Sequence, residues 1–169
     1  GYGGKNILFI NKSSSRAKIS KYLNKHHHVM AQKFLPQIKD GDKRIFIIDG
    51  VIKGAIKRIP KKGSIVSNIG QGGSAVETTL TKNEYHIAKK VALNLKKKQI
   101  VFAGIDLISN YLTGDINITS PTGLKNLKDL TGVDLAVDFW DFLERKWPLN
   151  KSSVHQSNLK KPNYFQEKI

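Results

Sequence analysis

Apolar residues recur along this chain in short blocks, and the spacing inside each block predicts its element. Ile45-Phe46-Ile47-Ile48 and Val51–Ile59 flank Asp49-Gly50. That dipeptide tolerates positive φ and marks a two-residue hairpin, so two antiparallel strands are predicted. Val101–Ile108 is apolar and rich in β-branched residues, which predicts a buried strand. Asp115-Ile116-Asn117-Ile118-Thr119 alternates with period two, placing Asp115, Asn117 and Thr119 on one side and Ile116 and Ile118 on the other. A polar turn over Ser109–Gly114 would join these two strands and bring Asp106 to the side of Asp115 and Asn117. Asn6–Ile10, and Val29–Leu35 ended by Pro36, predict two further strands.

Helical spacing appears in four places. Ser13-Ser14-Ser15 can cap a helix over Arg16–Lys25 whose Ile19 and Leu23 face inward. Thr81 and Glu84 form a capping box ahead of Ile87, Val91 and Leu95, and Lys96-Lys97-Lys98 suits the negative end of that helix dipole. Leu124–Thr131 and Asp134–Trp147 complete the set, the last with an apolar stripe of Leu135, Phe139, Phe142 and Leu143 ended by Pro148. Between the strands and the second helix, Pro60–Ala75 carries Gly63, Gly70, Gly72 and Gly73 and reads as a mobile functional loop or plain disorder. Asp40-Gly41-Asp42-Lys43-Arg44 reads as a charged turn, and His26-His27-His28 as a solvated one. Residues 1–147 form one folded unit and 148–169 a polar tail.

Composition narrows the class. A chain of 169 residues is one domain's worth, or a lobe of a larger protein, and 39% hydrophobic with 25% charged residues suits a globular fold. Without cysteine, disulfides and thiolate zinc sites are excluded. The lack of a long apolar segment or signal peptide favours the cytoplasm and no membrane partner. The net charge of +16 is uneven: residues 1–62 hold fifteen Lys/Arg and three acids, residues 63–169 fourteen and ten. Such a balance suits an anionic ligand held with a metal, nucleic acid, or simply a lysine-rich composition.

Candidate chemistry then falls on a few positions. Two carboxylates and an amide oxygen, from Asp106, Asp115 and Asn117, are hard ligands of the kind Mg²⁺ takes; two solvated acids at a hairpin are the alternative. Arg44 and Arg58 fall at comparable distances from the Asp49-Gly50 turn, so they converge on one anion or end as solvated strand termini. Gly1-Tyr2-Gly3-Gly4-Lys5 opens a strand rather than a helix, so it is a glycine flap over phosphates or a plain turn, not a Walker loop. The aromatics sit mostly in apolar stripes, which argues against a nucleic-acid stacking surface.

The order of these parts resembles the ATP-grasp portion of bacterial glutathione synthetase. The residues that carry the resemblance are Lys39-Asp40-Gly41-Asp42-Lys43-Arg44, Arg58-Ile59-Pro60, Leu80-Thr81, Gly104-Ile105-Asp106 and Ile116–Gly123, with Phe139-Trp140-Asp141 and Leu143-Glu144 near the end. It implies an α+β ATP-grasp fold: antiparallel sheets with flanking helices, a glycine-rich flap and a mobile loop, with the N-terminal domain missing. It also implies ATP-dependent joining of γ-glutamylcysteine and glycine through an acyl phosphate, with Mg²⁺ or alternatively Mn²⁺. For the full-length form it implies a homo-oligomer. A ligase for another acid and amine is the nearest alternative.

By that resemblance Gly3 and Gly4 lie on the triphosphate flap, and Gln32 and Leu35 edge the adenine. Asp42 also falls among the nucleotide-binding residues, and Asp106, Asp115 and Asn117 fall on the metal ligands. Arg44 and Arg58 fall against the γ-phosphate and acyl phosphate, and Asn68, Gly72 and Gly73 in the loop that closes over the intermediate. Three departures stand out. Gly114-Asp115 replaces a single glutamate, Val66 and Ser74 replace two loop arginines, and the lysine-bearing strand ahead of the flap is absent. A fragment that is weak or inactive by itself is therefore expected.

Overall fold

A computed structural model describes residues 6–64, 67, 70 and 72–148. Its centre is one five-stranded antiparallel sheet: β1 (Asp42–Ile48), β2 (Val51–Ile59), β3 (Ser74–Glu77), β4 (Phe102–Ile108) and β5 (Tyr111–Asn117), in the spatial order β3-β2-β1-β4-β5. The helices are α1 (Arg16–His26), α2 (Lys82–Lys97), α3 (Leu124–Thr131) and α4 (Leu135–Lys146), with a short 3₁₀ turn at Pro36–Asp40.

Local chemistry sets most of these boundaries. Asp49 and Gly50 both have positive φ, 47° and 78°, the geometry that matches a two-residue turn to the twist of its strands. Thr81 Oγ1 accepts from the Glu84 N–H and the Glu84 carboxylate accepts from the Thr81 N–H, so the capping box of α2 closes in both directions. Ser15 caps α1 and Asp134 caps α4 in one direction only, accepting from the N–H groups of Lys18 and Ala136 respectively.

Period-two alternation sorts the sheet into two faces. On the back, Ile45, Ile47, Ala55, Ala103, Ile105 and Leu107 pack against Ala88, Ala92 and Leu95 of α2. Ile87 and Val91 flank that contact rather than centre it. On the front, Phe46 and Ile56 pack under Leu127 of α3 and Leu135 of α4. Of the predicted stripe on α4 only Leu135 is fully buried, while Phe139 stacks on Phe102 at 5.2 Å between ring centroids.

Several expectations are corrected. Asn6–Ile10 and Val29–Leu35 are irregular and form no strand, because neither finds a ladder partner among the described residues. They meet each other through Phe9 and Phe34, centroids 4.8 Å apart, and α1 buries no residue, so Leu23 stays 42% exposed. β1 begins at Asp42, inside the supposed charged turn, because Asp42 and Lys43 pair with Arg58 and Lys57. The turn between β4 and β5 is Ser109-Asn110, not Ser109–Gly114, since Tyr111 and Leu112 already pair with Ile108 and Leu107. β5 therefore ends at Asn117, and Thr119 lies beyond it. β3 arises within the glycine-rich stretch as an edge strand on β2.

Candidate active site on the front face of the sheet

Cross-strand register brings the site together. Arg44 pairs with Asp106 across β1 and β4, and Asp42 pairs with Arg58 across β1 and β2. All four lie on the front face: Arg44 and Asp106 share a row with Ile56, next to the row of Phe46, and Asp42 and Arg58 form the row beyond, where the apolar front core gives way to charge. Between the pairs Ile105–Ile116 and Leu107–Leu112, Asp106 alone stands opposite the three residues 113–115. The Gly114-Asp115 departure is thus absorbed as a bulge that delivers Asp115 beside Asp106.

The side chains form one connected ion-pair network. Arg58 Nε donates to Asp42 Oδ1 at 2.9 Å, and its Nη2 reaches both Asp42 Oδ2 and Asp106 Oδ2, the latter at 2.7 Å. Arg44 grips Asp106 bidentately, through Nε to Oδ1 and Nη2 to Oδ2 at 2.9 Å. Its Nη2 also lies 3.5 Å from Asp115 Oδ2, and its Nη1 donates to the Thr122 carbonyl at 3.3 Å. Asp42, Arg44, Arg58 and Asp106 are all buried, whereas the Asp115 side chain is 57% exposed. Such burial is tolerable only with full pairing, and no buried side-chain polar atom among the described residues lacks a partner.

The protonation tendencies separate the two carboxylates. Burial pushes the Asp106 carboxyl upward, but the hydrogen bonds from Arg44 and the charges of Arg58 and Arg44 outweigh it and hold the group below the usual range. Asp115 is pushed up, by partial burial first and then by its hydrogen bond to and repulsion from Asp106. Burial also works against the charge of Arg58, and Asp42 and Asp106 overcome it, leaving the guanidinium firmly protonated. A half-exposed carboxylate crowded by a second one is a natural cation ligand, because a cation relieves the repulsion that burial magnifies.

The predicted residues are only partly gathered. Arg44, Arg58, Asp42, Asp106 and Asp115 come together. The two arginines do converge, yet the anion they share is Asp106 itself. Asn117 shares the front face, but its Oδ1 accepts from the N–H groups of Thr119 and Ser120 at 3.1 and 2.9 Å and so organises its own loop. Gln32 is exposed and Leu35 half-buried in the irregular segment before the 3₁₀ turn. Gly72, exposed with φ 88°, and half-buried Gly73 lead into β3, whose first residue Ser74 pairs with Ile59. Gly3, Gly4, Val66 and Asn68 lie outside the described residues. Sequence reasoning quoted Thr122 and Gly104 within its motifs but gave neither a role: the Thr122 carbonyl holds Arg44, and Arg44 lies close over Gly104. A glycine inside the apolar run Val101–Ile108 was the available signal for a close approach.

With the geometry in hand, the comparisons fix the class. The family described as prokaryotic glutathione synthetase, ATP-grasp domain, matches residues 1–132, so the sheet and its front-face cluster belong to an ATP-grasp domain. The chain is a member of the prokaryotic glutathione synthetase family. Glutathione synthetase of Rhodopseudomonas palustris is 43% identical over 115 residues, 68% of this chain and 36% of that protein. The glutathione synthetase of Coxiella burnetii is 44% identical over 125 residues, 73% of this chain and 39% of that protein. The chain therefore spans little more than a third of the length of these relatives. Among solved structures, the ATP-grasp ligase PsnB complexed with a phosphomimetic variant of its minimal precursor, Mg and ADP is similar at a TM-score of 0.45 and 14% identity, over 63% of this chain and 32% of that one.

Proposed function

We propose that this domain supplies the phosphate end of an ATP-dependent carboxylate–amine ligase that joins γ-glutamylcysteine to glycine. The observation that carries this reading is the front-face cluster of Arg44, Arg58, Asp106 and Asp115, which lies wholly within the family match. Asp106 and Asp115 can take the cation that accompanies a triphosphate, and a cation there would free guanidinium N–H groups of Arg44 and Arg58 to meet phosphoryl oxygens. Asp115 and Asp106 would hold Mg²⁺, with Asn117 available once its amide turns from its own loop. Bound there, Mg²⁺ would supply charge neutralisation across neighbouring phosphate oxygens.

The chemistry asked of the chain is positioning. A carboxylate is a poor electrophile, so it is first phosphorylated by ATP; the amine then attacks the acyl carbon and phosphate departs with the C–O bonding pair. Arg44 and Arg58 hold phosphoryl oxygens in line while their charges offset the negative charge that gathers there. The residues around Gly72 and Gly73 would close over the acyl phosphate and keep water from it.

Binding tests this without requiring turnover. At a hundred times its dissociation constant, a non-hydrolysable ATP analogue with Mg²⁺ should stabilise the fold by about 2.7 kcal/mol. Asp115→Ala should remove most of that gain in a thermal melt, and an undiminished gain would refute the metal assignment. The longest form of the gene product, given ATP, Mg²⁺, γ-glutamylcysteine and glycine, should release phosphate and glutathione in equal amounts. Phosphate release with a different acid or amine would reassign the substrate pair.

A further inference from the structure

Arg44 owes its pose to a missing side chain. On the front face Gly104 of β4 shares a row with Phe46, its β1 partner, and Asn117, its β5 partner. A Cβ placed on Gly104 would stand 3.1 Å from Arg44 Cδ, 3.3 Å from Arg44 Nη1 and 3.0 Å from Pro121 Cβ. Those separations are tighter than ordinary carbon contacts, and they involve two neighbours at once, Arg44 and Pro121. Pro121 comes from the loop after β5, while the arginine crosses β4 on its way from β1. Beyond the crossing point the guanidinium makes its bidentate grip on Asp106 and its bond to the Thr122 carbonyl.

We propose that Gly104 is a positioning residue: its bare backbone is the groove that threads Arg44 beneath Pro121 and aims the guanidinium at Asp106 and the bound phosphate. This rests on the ligase reading for the identity of the anion, but not for the geometry. Gly104 acts through Arg44, because a methyl group at this point must displace either the arginine or the loop that carries Thr122. The backbone of Gly104 imposes no positive φ, so the requirement is for space alone.

The test compares wild type, Gly104→Ala, Arg44→Ala and the double variant. The readouts are affinity for a non-hydrolysable ATP analogue with Mg²⁺, thermal melting, and solvent exchange of the Arg44 Nε–H by NMR. Gly104→Ala should weaken binding about tenfold, the order expected when a charge-assisted hydrogen bond is misaligned. It should also speed Nε–H exchange. In the Arg44→Ala background it should cost no further affinity, since the side chain it displaces is gone. Equal losses in both backgrounds, or unchanged exchange in Gly104→Ala, would overturn the proposal. Should Gly104→Ala fail to fold, the double variant decides: folding restored by removing Arg44 supports threading, and continued failure assigns the crowding to Pro121 alone and rejects it. Wild type that binds no nucleotide would refute the ligase reading, while the exchange measurement would still judge Gly104.

Discussion

Arg58 sits between two buried carboxylates, and each of its contacts is to a group that needs it as much as it needs them. Arg58→Ala would leave Asp42 without its guanidinium and take from Asp106 one of the two that hold it. Breaking one partner from such a buried network costs about 3–5 kcal/mol. We expect the urea midpoint to fall accordingly, and far more than for removal of an exposed pair such as Lys125–Asp129, whose side chains are 84% and 52% exposed. Asp106 therefore has a structural duty alongside any duty to a metal. Its role was half legible in the sequence. Its chemistry as an oxygen donor follows from residue type, but its capture by both arginines depends on β1 lying next to β4, and no local pattern reveals strand order.

Glu84 shows how one residue can fasten an element. It closes the N-terminus of α2, and its carboxylate also accepts from Lys43 Nζ of β1 at 2.7 Å, so the helix is pinned to the strand that carries Asp42 and Arg44. Burial raises the tendency of Glu84 to protonate, but the bonds from Lys43 and from Thr81 prevail and hold its carboxyl below the ordinary value of 4.5. A depressed folded-state pKa gives stability that is present above the ordinary value and lost as pH falls through the lowered one. Glu84→Gln should therefore lower the urea midpoint at pH 7 and lose less of what remains when the pH is brought to about 3. An unchanged acid slope would reassign that titration elsewhere. The capping box and the Asp49-Gly50 turn were readable because their causes lie within a few residues. Asn6–Ile10 and Val29–Leu35 carried strand composition without strand structure, because a strand exists only with a partner. β3 failed the other way. Ser74-Ala75-Val76-Glu77 is too short and mixed to announce itself, and the register of β2 alone makes it a strand.

Across the molecule, the two faces of the sheet divide the work. The back face and α2 hold most of the buried apolar residues, which leaves the charged end of the front face free to serve a ligand. The relation between this end and the rest of the surface is unusual. The chain carries +16, yet the cluster itself sets three carboxylates against two guanidinia, a local −1. Far from the protein an anionic nucleotide would be drawn in by the overall field; close to, it would meet a spot that repels it unless a cation comes too. The approach is then a matter of long-range steering, and the final fit a matter of short-range exchange. Raising the salt from about 0.05 to 0.5 M should slow association severalfold, because the screening length falls from about 14 Å to about 4 Å. Dissociation should change less, because charges in contact are screened less than charges far apart. Stopped-flow rates for a fluorescent nucleotide analogue would read both arms, and a salt effect confined to dissociation would contradict this picture. On the proposed function, a lysine-rich exterior around an acid-tipped sheet would act as a two-stage filter: it would gather anions indiscriminately and admit those already carrying a metal.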